Sequence, residues 1–141
     1  MLRTLLDESD GKLQTGFVGT PLLCKVLSEN GMDELAYELL LNEEFPGWLY
    51  QVKLGATTIW ERWNSLDENG CISGTQMNSL NHYAAGAVAE WIFRYAAGIN
   101  MDETDISKAG FKEVKFTPRL NRTLGYVKAS YESAMGLYAC A

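Results

Sequence analysis

Apolar positions between residues 20 and 41 recur at helical spacing, with one interruption. In TPLLCKVLSENG, Leu22, Leu23, Val26 and Leu27 form an i, i+1, i+4, i+5 stripe. Thr20 suits a helix N-cap, Pro21 the first helical position, and Gly31 a left-handed stop. In MDELAYELLLNE, Leu35, Ala36, Leu39 and Leu40 face one way, while Asp33, Glu34 and Glu38 face the other. Two such helices joined through Asn30-Gly31 predict an antiparallel αα-hairpin. Pro46 begins a shorter helix, PGWLYQVKLG, which Gly55 closes. The residues before about position 15 are polar and show no clear period.

The pattern then breaks. GATTIWERW, Gly55 to Trp63, is rich in β-branched and aromatic residues, so an extended or irregular segment is expected. SLDENGCISGT is a polar, glycine-containing loop. From Ser79 to about Ala97 a long helix is predicted, with Asn78 or Ser79 as its cap. Leu80, Tyr83, Ala84, Ala87, Val88, Trp91, Ile92 and Tyr95 form a broad apolar stripe. His82, Ala85, Gly86, Ala89 and Phe93 share the opposite side, and only Glu90 and Arg94 mark a charged edge. A helix apolar nearly all round is expected to be covered on both sides, as in the inner layer of a helical assembly.

After Gly98 the period changes. NMDETDIS reads as an acidic connector. FKEVKFTP alternates, with Val114 and Phe116 on one face, and LGYVKASYES alternates again before SAMG turns the chain into LYACA. Short antiparallel strands are expected there. A helical part short of helices and a sheet short of strands together suggest a piece of a longer polypeptide.

Composition narrows the partners. The 141 residues carry 12 basic and 18 acidic side chains, a net charge of −6, with no basic cluster. Nucleic acid and anionic membrane surfaces, which attract clustered Lys and Arg, are therefore not expected as partners. No stretch is long and apolar enough for a membrane helix, and MLRTLLDESD does not resemble a signal peptide. Cys24, Cys71 and Cys140 form no CxxC pair, and with a single histidine no zinc site is expected. They read as three reduced thiols. Phosphate-binding, dinucleotide and serine-hydrolase motifs are all missing, and no cofactor is implied.

Two positions could carry chemistry. Glu61 lies between Trp60 and Trp63. In an extended segment it would share a face with Ile59 and Trp63, while Trp60 and Arg62 point away. A carboxylate beside flat aromatic faces suits a sugar site, where it can move a proton or polarise a water. Equally, it could be a surface glutamate flanked by two core tryptophans. His82, the only histidine, falls at the start of the long helix. There it could hydrogen-bond a ligand hydroxyl, or simply be a satisfied buried ring. The positive end of the helix disfavours imidazolium, so a neutral ring is expected.

TGFVGTPLLCKVLSENGMDELAYELLLNEEFPGWLYQVKLGATTIWERWN, followed by MNSLNHYAAGAVAEWIFRYAAGI, resembles the C-terminal part of the catalytic domain of bacterial α-L-rhamnosidases, glycoside hydrolase family 78. The resemblance runs from about Thr15 through Ile99. It continues through FKEVKFTPRL and LGYVKASYESAMG into the β-sandwich that comes after the barrel in that family. It implies a mainly α fold with a C-terminal β segment. Residues 1–100 would be part of an (α/α)6 barrel, and residues 101–141 the first strands of the sandwich. It further implies inverting hydrolysis of terminal α-L-rhamnosides, with Glu61 as general base, His82 contacting the sugar, and Trp60 and Trp63 shaping its subsite. An inverting glycosidase also needs a general acid about 6.5–9.5 Å from the base. In the family that acid lies upstream in a DxxxRxxE segment, and no such segment precedes Glu61 here. The chain alone is therefore expected to be inactive and to self-associate through uncovered apolar surface. A non-catalytic carbohydrate-binding or interaction module, or a related glycosidase for another sugar, would share the same features.

Overall fold

The computed structural model describes residues 2–74 and 76–141. The chain divides into two compact units, Met1–Val88 and Ala89–Ala141. The first unit is helical, with helices α1 (Leu2–Glu8), α2 (Thr20–Glu29), α3 (Asp33–Leu41), α4 (Trp48–Lys53) and α5 (Tyr83–Gly86). α1 falls where no period was expected. Its signal is short: it buries Leu6 and leaves Leu5 exposed.

α2 and α3 form the expected hairpin, and Gly31, at φ 72°, makes the left-handed stop between them. The stop is a Schellman motif: Gly31 N–H donates to Ser28 O (3.1 Å) and Met32 N–H to Leu27 O (2.9 Å). The buried stripe of α2 differs from the expected one. Thr20, Leu23, Cys24, Leu27 and Ser28 are buried, whereas Leu22 and Val26 are exposed. The seam with α3 uses small residues, with Cys24 Sγ 4.0 Å from Ala36 O. Small side chains let two helices approach, and the larger Leu22 and Val26 turn outward. Thr20 does not cap the helix, because Gly19 occupies that position. The Thr20 hydroxyl instead bonds Thr15 O (3.1 Å) and meets the Thr15 hydroxyl (2.9 Å), pulling the preceding loop onto the helix. In α3, Ala36, Tyr37 and Leu39 are buried, and Leu35 and Leu40 only half-buried. α4 begins at Trp48, not Pro46, after Gly47 at its N-cap.

The long helix expected from Ser79 starts only at Tyr83. Residues 79–81 hydrogen-bond to the 58–61 segment and to one another, and His82 supplies the N-cap, its Nδ1 accepting from Ala84 N–H (3.3 Å). Neither Asn78 nor Ser79 is the cap. Tyr83, assigned to the buried stripe, is 84% exposed.

α6 (Val88–Trp91), which starts on the last residue of the first unit, passes into a π-helical turn over Ile92–Ala96. Such a turn widens the helix and re-aims the chain downstream of it. Trp91, Tyr95, Ala96 and Ala97 are buried. The expected acidic connector begins instead with strand β1 (Ile99–Met101), which pairs antiparallel with β2 (Val114–Phe116). Across that pair, Lys115 (Nζ–Oδ2 2.8 Å) and Thr104 hold the Asp102 carboxyl well below the usual carboxylate range. β3 (Ala129–Ser133) and β4 (Gly136–Cys140) form the expected hairpin, with Ser133 paired to Gly136 around a two-residue turn. Cys140 Sγ donates to Ala97 O (3.2 Å). The architecture is thus mainly α with a C-terminal β segment.

The three thiols are free and differ in environment. Burial pushes Cys24 up to about 12, so its reactive thiolate is scarce at neutral pH, while Cys71 is exposed on a loop. Labelling with a thiol reagent at pH 8 should modify Cys71 first and Cys24 only in denaturant. Fast labelling of Cys24 in the folded chain would contradict this packing.

Candidate active site

The 58–61 segment is bent, not a regular strand, and it runs beside residues 79–82. Glu61 N–H donates to Ser79 O (2.9 Å) and His82 N–H to Ile59 O (2.8 Å), while the Thr58 hydroxyl donates to Leu80 O. This pairing joins the two segments that carry Glu61 and His82. The Glu61 carboxylate adds a third link: Oε2 accepts from Ser79 N–H at 2.7 Å, the short length of a charge-assisted bond. Glu61 and Ser79 therefore clamp each other twice. Oε1 has no hydrogen-bond partner among the described residues, and the side chain is half-buried.

Glu61 lines a cleft of about 260 Å³, together with Trp60, Trp63, Phe17, Phe45 and the turn at Thr15-Gly16. Ligand pockets commonly combine apolar walls with a few placed polar groups, and the carboxylate here is such a group. The alternation expected of an extended segment fails, because Trp60, Glu61 and Trp63 all border the same space. Bends at Glu61 and Arg62 account for this.

The tryptophans are tied to the surrounding loops and to one another. Trp60 is 3% exposed, and its backbone N–H donates to Oε1 of buried Gln51 (3.2 Å). Trp63 is half-buried, with Nε1 donating to Thr15 O (3.4 Å) and its ring edge-on to Trp48 at 5.2 Å and 87°. Trp48 in turn donates through Nε1 to Ala85 O (2.9 Å). Trp60 is thus a wall, and Trp63 offers the more accessible face.

His82 does not border the cleft. Its ring stacks between Phe17 (4.9 Å, 21°) and Tyr83 (4.9 Å, 17°), and Nδ1 is engaged as the α5 cap. An acceptor Nδ1 leaves the proton of a neutral ring on Nε2, free to donate. His82 adjoins the cleft through Phe17, which it stacks on, and Ala84, whose N–H it caps. Phe17, Thr15 and Phe45 were not singled out from sequence. A pair of apolar residues between two glycines, as in Gly16-Phe17-Val18-Gly19, was the available signal for the first. A second, open cleft of about 600 Å³ adjoins along Thr15, Gly16, Phe45 and Trp63 and extends to Lys12 and Asp10. Among the described residues no cluster of three or more His, Cys, Asp or Glu could hold a metal, and no helix is long and apolar enough to cross a membrane.

Residues 1–96 match the family model described as the bacterial alpha-L-rhamnosidase six-hairpin glycosidase domain. An alpha-L-rhamnosidase of Formosa agariphila is 43% identical over 90% of this chain, and one of Alteromonas sp. is 42% identical over 96%. The chain spans 14% of the length of each. Among solved structures, the Streptomyces avermitilis alpha-L-rhamnosidase complexed with L-rhamnose superposes with a TM-score of 0.85 at 39% identity, covering 96% of this chain and 13% of that one. The native enzyme from Aspergillus terreus gives a TM-score of 0.85 at 33% identity, covering 96% and 15%. With more than half its length inside the family model and these relatives alongside, the chain belongs to the bacterial α-L-rhamnosidase six-hairpin glycosidase family.

Proposed function

We propose that this chain forms the base-carrying part of an inverting α-L-rhamnosidase, with Glu61 as general base. The observation that carries the reading is the half-engaged carboxylate. Ser79 fixes one oxygen while the other is left without a protein partner among the described residues, at the rim of an aromatic cleft. In the proposed step, Glu61 Oε1 takes a proton from a water whose oxygen attacks the anomeric carbon. The bond to the leaving oxygen breaks, and that oxygen is protonated by a carboxylic acid supplied outside these residues. Trp63 offers a flat face for the sugar and Trp60 closes the wall. His82 acts through Nε2 on a sugar hydroxyl, once Phe17 lets the ligand approach. We further place a domain change near residue 100, supported by the family match ending at residue 96.

Two readouts test this. The complete enzyme carrying this segment should release β-L-rhamnose first from an α-rhamnoside, as monitored by proton NMR before mutarotation. Release of the α-anomer would rule out the inverting reading. The isolated 141-residue chain should neither turn over an aryl rhamnoside nor scatter as a monomer, given exposed Phe17, Val18, Leu22 and Val26. Ready turnover by the isolated chain would show that it needs no outside acid.

A further inference from the structure

Ser79 reaches Glu61 at the end of a long excursion. The chain lines the cleft from Trp60 to Asn64, makes a polar loop, and returns to Glu61 at Ser79. Two side chains close the base of that loop. The Ser65 side chain, with Ser65 0% exposed, accepts from Arg62 N–H (3.2 Å) and donates to Arg62 O (3.0 Å). The Ser65 carbonyl then accepts from Ser73 N–H (2.9 Å). Asn78 clips across the closure, its Nδ2 donating to both Ser65 O (3.1 Å) and Ser73 O (3.0 Å). Both amide hydrogens are therefore spent on the two strands of the loop, immediately before the residue that holds the carboxylate. Asn78 Oδ1 is buried without a partner among the described residues. A buried amide oxygen left unsatisfied is costly, so the Nδ2 grip is what orients this side chain.

We propose that Asn78 is a positioning residue for Glu61. By gripping Ser65 O and Ser73 O it fixes where the chain re-enters, and so aims the Ser79 N–H that holds Oε2 and leaves Oε1 turned to the cleft. The inference rests on the reading of Glu61 as general base. Loss of the grip frees the carboxylate to rotate away from the attacking water, without removing anything the substrate touches.

The test is a double-mutant cycle in the complete enzyme. Asn78→Ala should lower kcat about 10- to 100-fold, the usual cost of a misplaced group, with KM unchanged. Asn78→Asp, which keeps the shape but offers only oxygens to the two carbonyls, should do the same. In a Glu61→Gln background neither change should cost anything more, since there is no base left to aim. Losses that multiply with Glu61→Gln, a rise in KM at constant kcat, or wild-type rates for Asn78→Asp would each overturn the proposal. A wild-type rate for Glu61→Gln alone would instead remove the base assignment on which it rests. If the Asn78 variants fail to fold, Ser65→Ala loosens the same closure from its other end. It must show the same loss of kcat and the same silence behind Glu61→Gln, or the proposal fails.

Discussion

Glu61→Gln in the complete enzyme is expected to lower kcat by about 10²–10⁴-fold, the usual contribution of a general base, while KM changes little. The substitution separates chemistry from structure. A glutamine oxygen can still accept from Ser79 N–H, so the clamp that Oε2 makes at 2.7 Å survives in shape. What is lost is the proton acceptor on the other arm. Azide supplies the discriminating control, because it attacks the anomeric carbon with no proton to lose. It should restore turnover of an activated aryl rhamnoside by Glu61→Gln and yield the rhamnosyl azide of inverted configuration. An unchanged kcat, or no response to azide, would remove Glu61 from the base role. Glu61→Ala should be worse than Glu61→Gln by more than the chemistry accounts for, since it also unpins the loop that ends at Ser79.

The largest effect on stability is expected at Gly98. Its φ is 73°, in the left-handed region, and the chain crosses directly over it: Thr117 N–H donates to Gly98 O at 2.9 Å. A Cβ at position 98 would overlap Pro118 N and the Thr117 carbonyl carbon, which are backbone atoms with no side chain to swing aside. Left-handed strain costs about 1–2 kcal/mol, and overpacking of this kind about 1–3 kcal/mol more. Gly98→Ala should therefore destabilise by about 2–5 kcal/mol in a urea melt of the complete protein. Gly55 is the control. Its φ is 84°, yet a Cβ there meets nothing within 4 Å, so Gly55→Ala should cost only the strain, about 1–2 kcal/mol. Equal losses at the two positions would mean that the crossing at Gly98 relaxes freely.

The contrast between those glycines shows what the sequence made legible. Helix ends with local causes could be read: Gly31 and Gly55 stop their helices through turns built from adjacent residues, and the Ser133–Gly136 turn is equally local. Burial set by distant partners could not. Leu22 and Val26 have the apolarity of a buried stripe, but the neighbouring helix approaches at the small Cys24, against Ala36. The long helix expected from Ser79 failed for a related reason. Nothing near residues 79–82 announces that they will pair with residues 58–61, because that information lies some twenty positions upstream. The same pairing assembles the candidate site. Glu61 and the two tryptophans were visible as residue types, whereas Phe17 and Phe45, brought in from loops far along the chain, were not. The position of Glu61 depends on backbone groups of Ser79 and on the Asn78 amide, which carry no signature in composition or period.

The closure of the loop near its base also separates two kinds of variation. Everything beyond Ser65 and Ser73 is a small self-contained turn, in which Asp67 Oδ1 accepts from Asn69 N–H and Cys71 N–H (2.9 Å each) and Asn69-Gly70 forms the exposed tip. Lengthening such a loop is thermodynamically mild, about 0.6 kcal/mol for each doubling. Residues 66–72 can therefore drift in length and sequence while the carboxylate stays aimed. That makes the tip a place where a lineage can acquire new contacts, or where a tag can be inserted, at little risk to the position of Glu61.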